Sequence, residues 1–165
     1  MHSAWIHPSD RYMMSDPEKG LGRSIGMPLM GELTVGEPDD VKELDDGAEL
    51  DLAGLRFGVA HAPGHTKGSV TFRMPETQEI PSVFFSGDLL FAGSIGRTDL
   101  PGGSHAEMLE SLARVCLPLD DSTVVLSGHG PQTTIGQERA TNPYLRQVAA
   151  SREERGSVDA PRRGM

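Results

Sequence analysis

The chain has 165 residues, the size of a single domain. Its 24 acidic residues outnumber its 15 basic ones, for a formal charge of −9, which argues against a nucleic-acid-binding face because phosphates need clustered Lys and Arg. Apolar runs fall far short of the roughly 20 residues of a membrane span, and no signal-peptide pattern opens the chain. The single cysteine, Cys116, excludes an internal disulfide. We therefore expect a cytoplasmic protein.

The N-terminal part predicts two short elements and a long loop. Residues 4–6 have the pattern of a strand end, and residues 8–14 that of a short helix that begins at a proline. Residues 16–43 are dense in Gly and Pro. A loop of this length is usually functional or disordered.

A run of strands is predicted next. Residues 49–52 and 55–60 flank Ala53-Gly54, which is typical of a β-hairpin. Residues 69–74 alternate between apolar and polar types, and residues 82–86 and 124–126 are further strand candidates. In the alternating strand we expect an inward face and an outward face: Val70, Phe72 and Met74 inward, Thr71 and Arg73 outward.

Helices are predicted in the last third of the chain. Ser104 and Glu107 form a capping box for a helix that reaches about Cys116 and buries that thiol. A second capping box follows at Thr134, and Asn142 caps a last helix whose first residue is a proline. We expect one domain over residues 1–150 and a disordered tail over residues 151–165, which lack an apolar face.

Three polar residues follow predicted strands, each beside a glycine that allows a sharp turn: His65, Asp88 and His129. Strand ends bring side chains from distant sequence to one rim of a sheet. Two imidazoles and a carboxylate suit zinc, manganese or iron. We therefore expect the three side-chain tips to lie within about 10 Å of one another.

The segments around these residues form four motifs in order: Pro63-Gly64-His65-Thr66-x-Gly68-Ser69, Phe85-Ser86-Gly87-Asp88-Leu89-Leu90-Phe91, Gly93-Ser94-Ile95-Gly96-Arg97-Thr98-Asp99-Leu100-Pro101 and Gly128-His129-Gly130-Pro131. They resemble the metallo-β-lactamase superfamily, most closely its glyoxalase II-like (hydroxyacylglutathione hydrolase-like) branch. The stretch from Thr133 to Tyr144 is similar to that branch too, so the resemblance covers about residues 4–148.

The resemblance implies an αββα sandwich with a dinuclear metal site at one edge of its two sheets. It implies two zinc ions per complete site, with iron or manganese as other metals. His65 would be a ligand of the first metal, His129 a ligand of the second, and Asp88 the catalytic carboxylate that bridges them. The implied reaction is attack of a metal-activated hydroxide on a thioester.

The family's main ligand cluster, His-x-His-x-Asp-His, is absent from this chain. Of the other histidines, we expect His61 to be packed and His105 to be exposed, while His2 and His7 lack a carboxylate partner. The resemblance therefore implies the C-terminal two thirds of the fold: the second sheet, its covering helices and a remnant of the first sheet. Weak metal binding follows, and self-association through the uncovered sheet face is expected.

Metal-dependent thioester hydrolysis is thus the expected function, with a small-molecule substrate whose acyl and thiol parts stay undefined. A sulfur dioxygenase with one iron and a lactonase are the alternatives within the family. The non-enzymatic alternatives are a catalytically inactive remnant and a binding fragment that completes its site with another chain. Arg97 and Asp99 could contact substrate or pair with each other, and we expect them to pair and brace the metal loop. Lys67, close to His65, is a candidate anion contact.

Overall fold

The computed structural model describes residues 3–15 and 38–158. Its strands, in chain order, are β1 Ser3–Ile6, β2 Asp40–Glu43, β3 Glu49–Leu52, β4 Leu55–His61, β5 Val70–Met74, β6 Val83–Gly87, β7 Leu90–Phe91, β8 Ser94–Ile95, β9 Val124–Ser127 and β10 Thr133–Thr134. The main sheet has the order β10-β9-β6-β5-β4-β3. Its neighbouring strands are antiparallel except for β6 and β9.

The helices begin where the sequence provides caps. A 3₁₀ turn, Pro8–Asp10, precedes α1 (Tyr12–Ser15), and α2 (His105–Ser111) continues as a π turn over Leu112–Cys116. α3 spans Ile135–Thr141, and α4 spans Pro143–Val158. The three predicted caps are confirmed, because Ser104, Thr134 and Asn142 each accept a backbone N–H two or three residues further on. Within the described ranges, every helix is too short or too polar to cross a membrane.

The two faces of the main sheet differ in cover. Phe84 and Val125 join helix residues such as Met108 and Leu145 in one fully buried cluster, so the helices pack on that face. Their strand neighbours Phe85 and Leu126 point to the other face, where they line an open apolar groove of about 760 Å³ together with Trp5 of β1. The mixed α/β architecture expected from the sequence is confirmed, with one sheet face covered by helices.

The inward and outward assignment of β5 is partly wrong. Thr71 is only 1% exposed and donates to the Ala60 carbonyl, although we expected it outside. Val70 and Phe72 line the open groove instead, and Met74 is buried as expected. The residues of β5 still alternate between the two faces of the sheet. Thr71 lies on the buried face because its hydroxyl bonds a backbone carbonyl, which offsets the cost of burying a polar group.

Two segments that we expected to be irregular contain secondary structure. Within residues 16–43, β2 pairs in parallel with β1, aided by a Ser3–Asp40 hydrogen bond of 2.6 Å; residues 16–37 lie outside the described residues. The predicted disordered tail is helical over residues 151–158, because a helix already begun extends at little cost through Arg and Glu, which favour helix. Residues 159–165 lie outside the described part.

Candidate metal centre

Three side chains from distant parts of the sequence meet at one rim of the main sheet. His65 Nε2 lies 3.4 Å from Asp88 Oδ2, and His129 Nε2 lies 3.8 Å from Asp88 Oδ1. The predicted convergence of His65, Asp88 and His129 is therefore confirmed. The carboxylate stands between the two imidazoles and turns one oxygen toward each.

A backbone hydrogen bond sets the orientation of the His65 ring. His65 follows β4 on the loop to β5, and its Nδ1 lies 2.8 Å from the Arg97 carbonyl oxygen. A carbonyl only accepts, so Nδ1 carries the proton, and the lone pair of the neutral ring is on Nε2. This lone pair faces an Asp88 oxygen, and a cation between the two atoms would satisfy both. Metal-binding histidines usually make this type of outward hydrogen bond.

Asp88 directly follows β6, and the surrounding backbone packs closely against it. A Cβ on Gly128 would lie 2.5 Å from Asp88 Oδ1, so glycine at this position lets the carboxylate keep its place. Gly87 has a φ of +51°, which turns the chain sharply before Asp88. The Gly128 N–H also donates to the Gly87 carbonyl at 2.9 Å. This bond joins the end of β6, just before Asp88, to the end of β9, just before His129.

His129 forms the open side of the site. Its side chain is 75% exposed, against 21% for His65. The Phe91 ring lies 4.5 Å away, centroid to centroid, and the Ser127 hydroxyl donates to the His129 carbonyl at 2.7 Å. The ring is therefore supported on one side and open to solvent on the other.

The donor set suits a divalent metal, but it is incomplete. Imidazole nitrogen and carboxylate oxygen bind zinc at about 2.0–2.2 Å, so atoms that share one ion lie roughly 3–3.5 Å apart, as His65 and Asp88 do. Within residues 3–15 and 38–158, no three His, Cys, Asp or Glu side chains surround a single metal position. The two Asp88 oxygens face different imidazoles, which is the arrangement of a bridging carboxylate with one imidazole on each side.

A shallow cavity of about 410 Å³ lies over these residues. The loop after β8 forms one wall, and there the Arg97 guanidinium binds Asp99 through two hydrogen bonds of 2.7 Å. This contact lowers the pKa of Asp99 to about 2 and raises the pKa of Arg97. The expected Arg97–Asp99 pair is confirmed, and the Arg97 backbone in turn holds His65.

The remaining described histidines do not join the site. His7 stacks on His61 with ring centroids 3.9 Å apart, and His61 Nε2 bonds the Lys67 carbonyl at 2.7 Å. Burial, followed by the neighbouring His61, lowers the pKa of His7. His61 is thus packed and His105 exposed, as expected; His2 lies outside the described residues. Lys67 is exposed, and its role as an anion contact stays a prediction.

Cys116 is a core residue. Its side chain is fully buried in the helix-covered cluster. Burial raises the pKa of its thiol to about 12, so very little thiolate exists at neutral pH. The expected burial of this thiol is confirmed.

Sequence reasoning missed two buried acids that hold the loops of the site. Asp10 binds the loop that carries His65. Glu138 accepts from the Gly93 N–H at 2.8 Å and from Asn142 at 2.9 Å, and so fixes the β7–β8 turn beside His129. Glu138 stands in a stretch already noted as family-like, whereas Asp10 shows no sequence signal beyond its place at a helix start.

A family model described as the metallo-beta-lactamase superfamily matches residues 2–129. The chain belongs to the metallo-β-lactamase superfamily. Membership in this superfamily explains the order of the four motifs around His65, Asp88 and His129.

Two relatives within the superfamily show how much of a longer protein this chain matches. An uncharacterized protein of Mycobacterium tuberculosis is 50% identical over 143 residues, which are 86% of this chain and 63% of that protein. Hydroxyacylglutathione hydrolase GloC of Haemophilus influenzae is 44% identical over 100 residues, which are 61% of this chain and 45% of that protein. The chain thus spans less than two thirds of the length of these relatives.

Solved structures of the superfamily show the same fold. BLEG-1, a B3 metallo-beta-lactamase, superimposes with a TM-score of 0.70 at 42% identity, covering 86% of this chain and 64% of that chain. TTHA1623, solved in a di-iron-bound form, superimposes with a TM-score of 0.66 at 39% identity, with the same two coverages. The fold expected from the motifs is confirmed by both neighbours.

Proposed function

We propose that this chain carries the His65–Asp88–His129 part of a dinuclear metal site that hydrolyses thioesters. The observation that carries the proposal is the Asp88 carboxylate, which stands between two imidazoles with one oxygen toward each. A carboxylate in this position suits two adjacent cations. In a complete site, such a metal pair would supply ionised water at neutral pH and stabilise a developing oxyanion.

The residues of the chain contribute position and access. The Nδ1–H bond of His65 to the Arg97 carbonyl keeps Nε2 aimed at Asp88. Gly128 leaves room for the carboxylate. His129 is exposed beside the cavity of about 410 Å³, so a substrate carbonyl approaches from that side. Asp88 lies between the imidazoles, where it would hold both cations at bridging distance.

The proposal of a thioester as the substrate rests on similarity to one relative. GloC is named a hydroxyacylglutathione hydrolase, and it shares 44% identity over a stretch that covers 61% of this chain. BLEG-1, named a metallo-beta-lactamase, makes a β-lactam the competing substrate. An acyl carbon bonded to sulfur or to a strained nitrogen is the common target, so a panel with both substrates separates them.

The donor set also predicts how tightly this chain binds metal and how fast it hydrolyses substrate. Each side of Asp88 offers one imidazole and one oxygen, whereas a catalytic zinc has three protein ligands. With fewer ligands the ion stays mostly hydrated, and its water keeps a pKa nearer 9 than 7. We therefore expect this chain to bind metal weakly and to hydrolyse thioesters slowly.

The test measures zinc binding by calorimetric titration and turnover of a lactoyl thioester and a β-lactam, with zinc or ferrous iron added. We expect weak zinc binding and slow, metal-dependent thioester turnover, both lost in Asp88→Asn and retained in the control Asp51→Asn, an exposed carboxylate on β3. Zinc binding that Asp88→Asn leaves unchanged would overturn the metal assignment. Metal binding without thioester turnover would overturn the substrate and support a binding fragment.

Iron is a second candidate metal, because TTHA1623 was solved in a di-iron-bound form. The same titration compares ferrous iron with zinc under anaerobic conditions. Tighter iron binding, together with oxygen consumption when a persulfide is added, would favour a sulfur dioxygenase over a hydrolase.

A further inference from the structure

Asp10 is a buried carboxylate attached to the loop that carries His65. Its exposed fraction is 7%. Its Oδ2 accepts from the Thr66 hydroxyl at 2.5 Å, and its Oδ1 accepts from the Gly68 N–H at 2.8 Å. Thr66 is the direct neighbour of His65. We propose that Asp10 is a positioning residue that sets the orientation of the His65 imidazole.

The hydrogen bonds around Thr66 form a chain with a defined direction. The Thr66 N–H donates to Ser69 Oγ at 3.1 Å, and the Ser69 and Thr66 hydroxyl oxygens are 2.7 Å apart. Because the Thr66 hydroxyl proton goes to Asp10, the Ser69 hydroxyl must donate to Thr66. The last proton of this chain goes to Asp10 Oδ2, while Oδ1 accepts separately from the Gly68 N–H.

The loop packs directly on the Asp10 side chain. A Cβ on Gly68 would lie 2.6 Å from Asp10 Cγ, so a larger residue cannot stand there. The loop is also attached at its other end, since the Gly64 N–H donates to the Thr66 carbonyl and the Gly64 carbonyl accepts from Ser104. Held by Asp10 and by Ser104, the loop places the His65 ring with Nδ1 on the Arg97 carbonyl and Nε2 toward Asp88.

Substitution by asparagine separates positioning from simple space filling. Asp10→Asn keeps the shape but turns one acceptor into a donor. In one orientation of the amide its NH₂ faces the Gly68 N–H, and that bond is lost. In the other it faces the Thr66 hydroxyl, which must turn to donate to Ser69 and leaves the Ser69 hydroxyl proton without its acceptor. Either way the loop next to His65 loses part of its attachment and its charged acceptor on that side.

The experiment compares metal-free wild type, Asp10→Asn and the control Asp40→Asn. Asp40 also accepts a hydroxyl from the N-terminal segment, from Ser3 at 2.6 Å, but does not contact this loop. Long-range ¹H–¹⁵N spectra report the imidazole nitrogens, calorimetric titration reports zinc affinity, and thermal denaturation reports stability. Thr66→Ser and Thr66→Val form a second pair in case Asp10→Asn fails to fold.

We expect Asp10→Asn to shift or broaden the His65 ring signals and to leave those of His105 unchanged. Zinc affinity should fall about tenfold or more, as for other residues that support a ligand, whereas Asp40→Asn changes neither. Thr66→Ser should resemble wild type and Thr66→Val should resemble Asp10→Asn. Unchanged His65 signals in a variant with lowered thermal stability would overturn the proposal and make Asp10 a purely structural residue.

Only the zinc readout rests on the proposed function. If wild type binds no metal but the His65 signals move in Asp10→Asn, the proposed function fails and the positioning role stands. If wild type binds zinc and neither readout responds to Asp10, the positioning role fails and the proposed function stands.

Discussion

Close contact between Gly128 and Asp88 makes the carboxylate sensitive to a single methyl group. In Gly128→Ala the new Cβ would lie 2.5 Å from Asp88 Oδ1, so the carboxylate must move away from His129. We expect zinc affinity to fall about tenfold, the size of effect seen when the support of a ligand is lost. Calorimetric titration measures this. In the control Gly58→Ala the nearest atom is 3.9 Å away; an equal loss there would contradict a local effect at Asp88.

His7 predicts a pH dependence of stability. Burial and the stacked His61 ring lower its pKa below the ordinary value of 6.5. The unfolded chain then takes up the proton more readily, so the stabilisation is complete above pH 6.5 and is lost as the pH falls through the folded-state pKa. We expect the thermal midpoint to fall on acidification, and His7→Asn to reduce this slope while keeping an acceptor for the Ser9 N–H.

The control for this pH dependence is His105→Asn, because His105 is exposed on α2. It should leave the slope unchanged. A slope that His7→Asn does not reduce would show that other groups dominate this range.

Among single residues, the sequence predicted the candidate ligands better than the residues that support them. His65, Asp88 and His129 were predictable because each stands beside glycine after a strand, in a motif with a fixed order. Asp10 and Glu138 were not, because a buried acid in a hydrogen-bond network has the same local pattern as an acid in the exposed first turn of a helix. Only the fold shows which backbone donors meet them.

At the scale of elements, α4 continues through residues 151–158, yet its side chains at 151–154 are exposed. The side chains at 151–154 are polar or charged, and the bond from Arg152 to the Ala113 carbonyl is long, at 3.5 Å. Exposed polar side chains bury little apolar surface. We therefore expect deletion of residues 151–165 to lower the thermal midpoint by no more than about 2 °C. A loss of several degrees in calorimetry would show that the tail docks on the domain.

Elements with local signals were predictable, and elements that depend on distant pairing were not. The capping boxes at Ser104 and Thr134 are readable within four residues. β2 has one apolar residue, Val41, and exists as a strand because β1 pairs with it across the intervening segment. The reversed burial of Thr71 has the same cause: both faces of the sheet are apolar, so periodicity alone cannot say which face the helices cover.

At the scale of the whole molecule, the open face of the main sheet predicts self-association. The residues that line its groove carry no charge, and they include Trp5, Phe57, Phe72 and Phe85. Two such faces can pack about 10 Å apart, as in a sandwich of sheets. We expect sedimentation equilibrium to show a mass that rises with protein concentration, and Phe72→Lys to abolish the rise.

The matched control for this face is Ile80→Lys. Ile80 is 38% exposed and does not line the groove. It should self-associate like wild type. A concentration-independent monomer mass for wild type would show that the apolar face does not recruit a second copy.

Asp88 is placed to bridge two metal positions, and anomalous diffraction from zinc-soaked crystals can locate them. We expect two partly occupied zinc peaks about 3.5–4 Å apart, one between Asp88 and His65 and the other between Asp88 and His129. Both peaks should vanish in Asp88→Asn. Zinc peaks elsewhere on the surface, with none beside Asp88 at saturating zinc, would show that Asp88 does not bridge two metals.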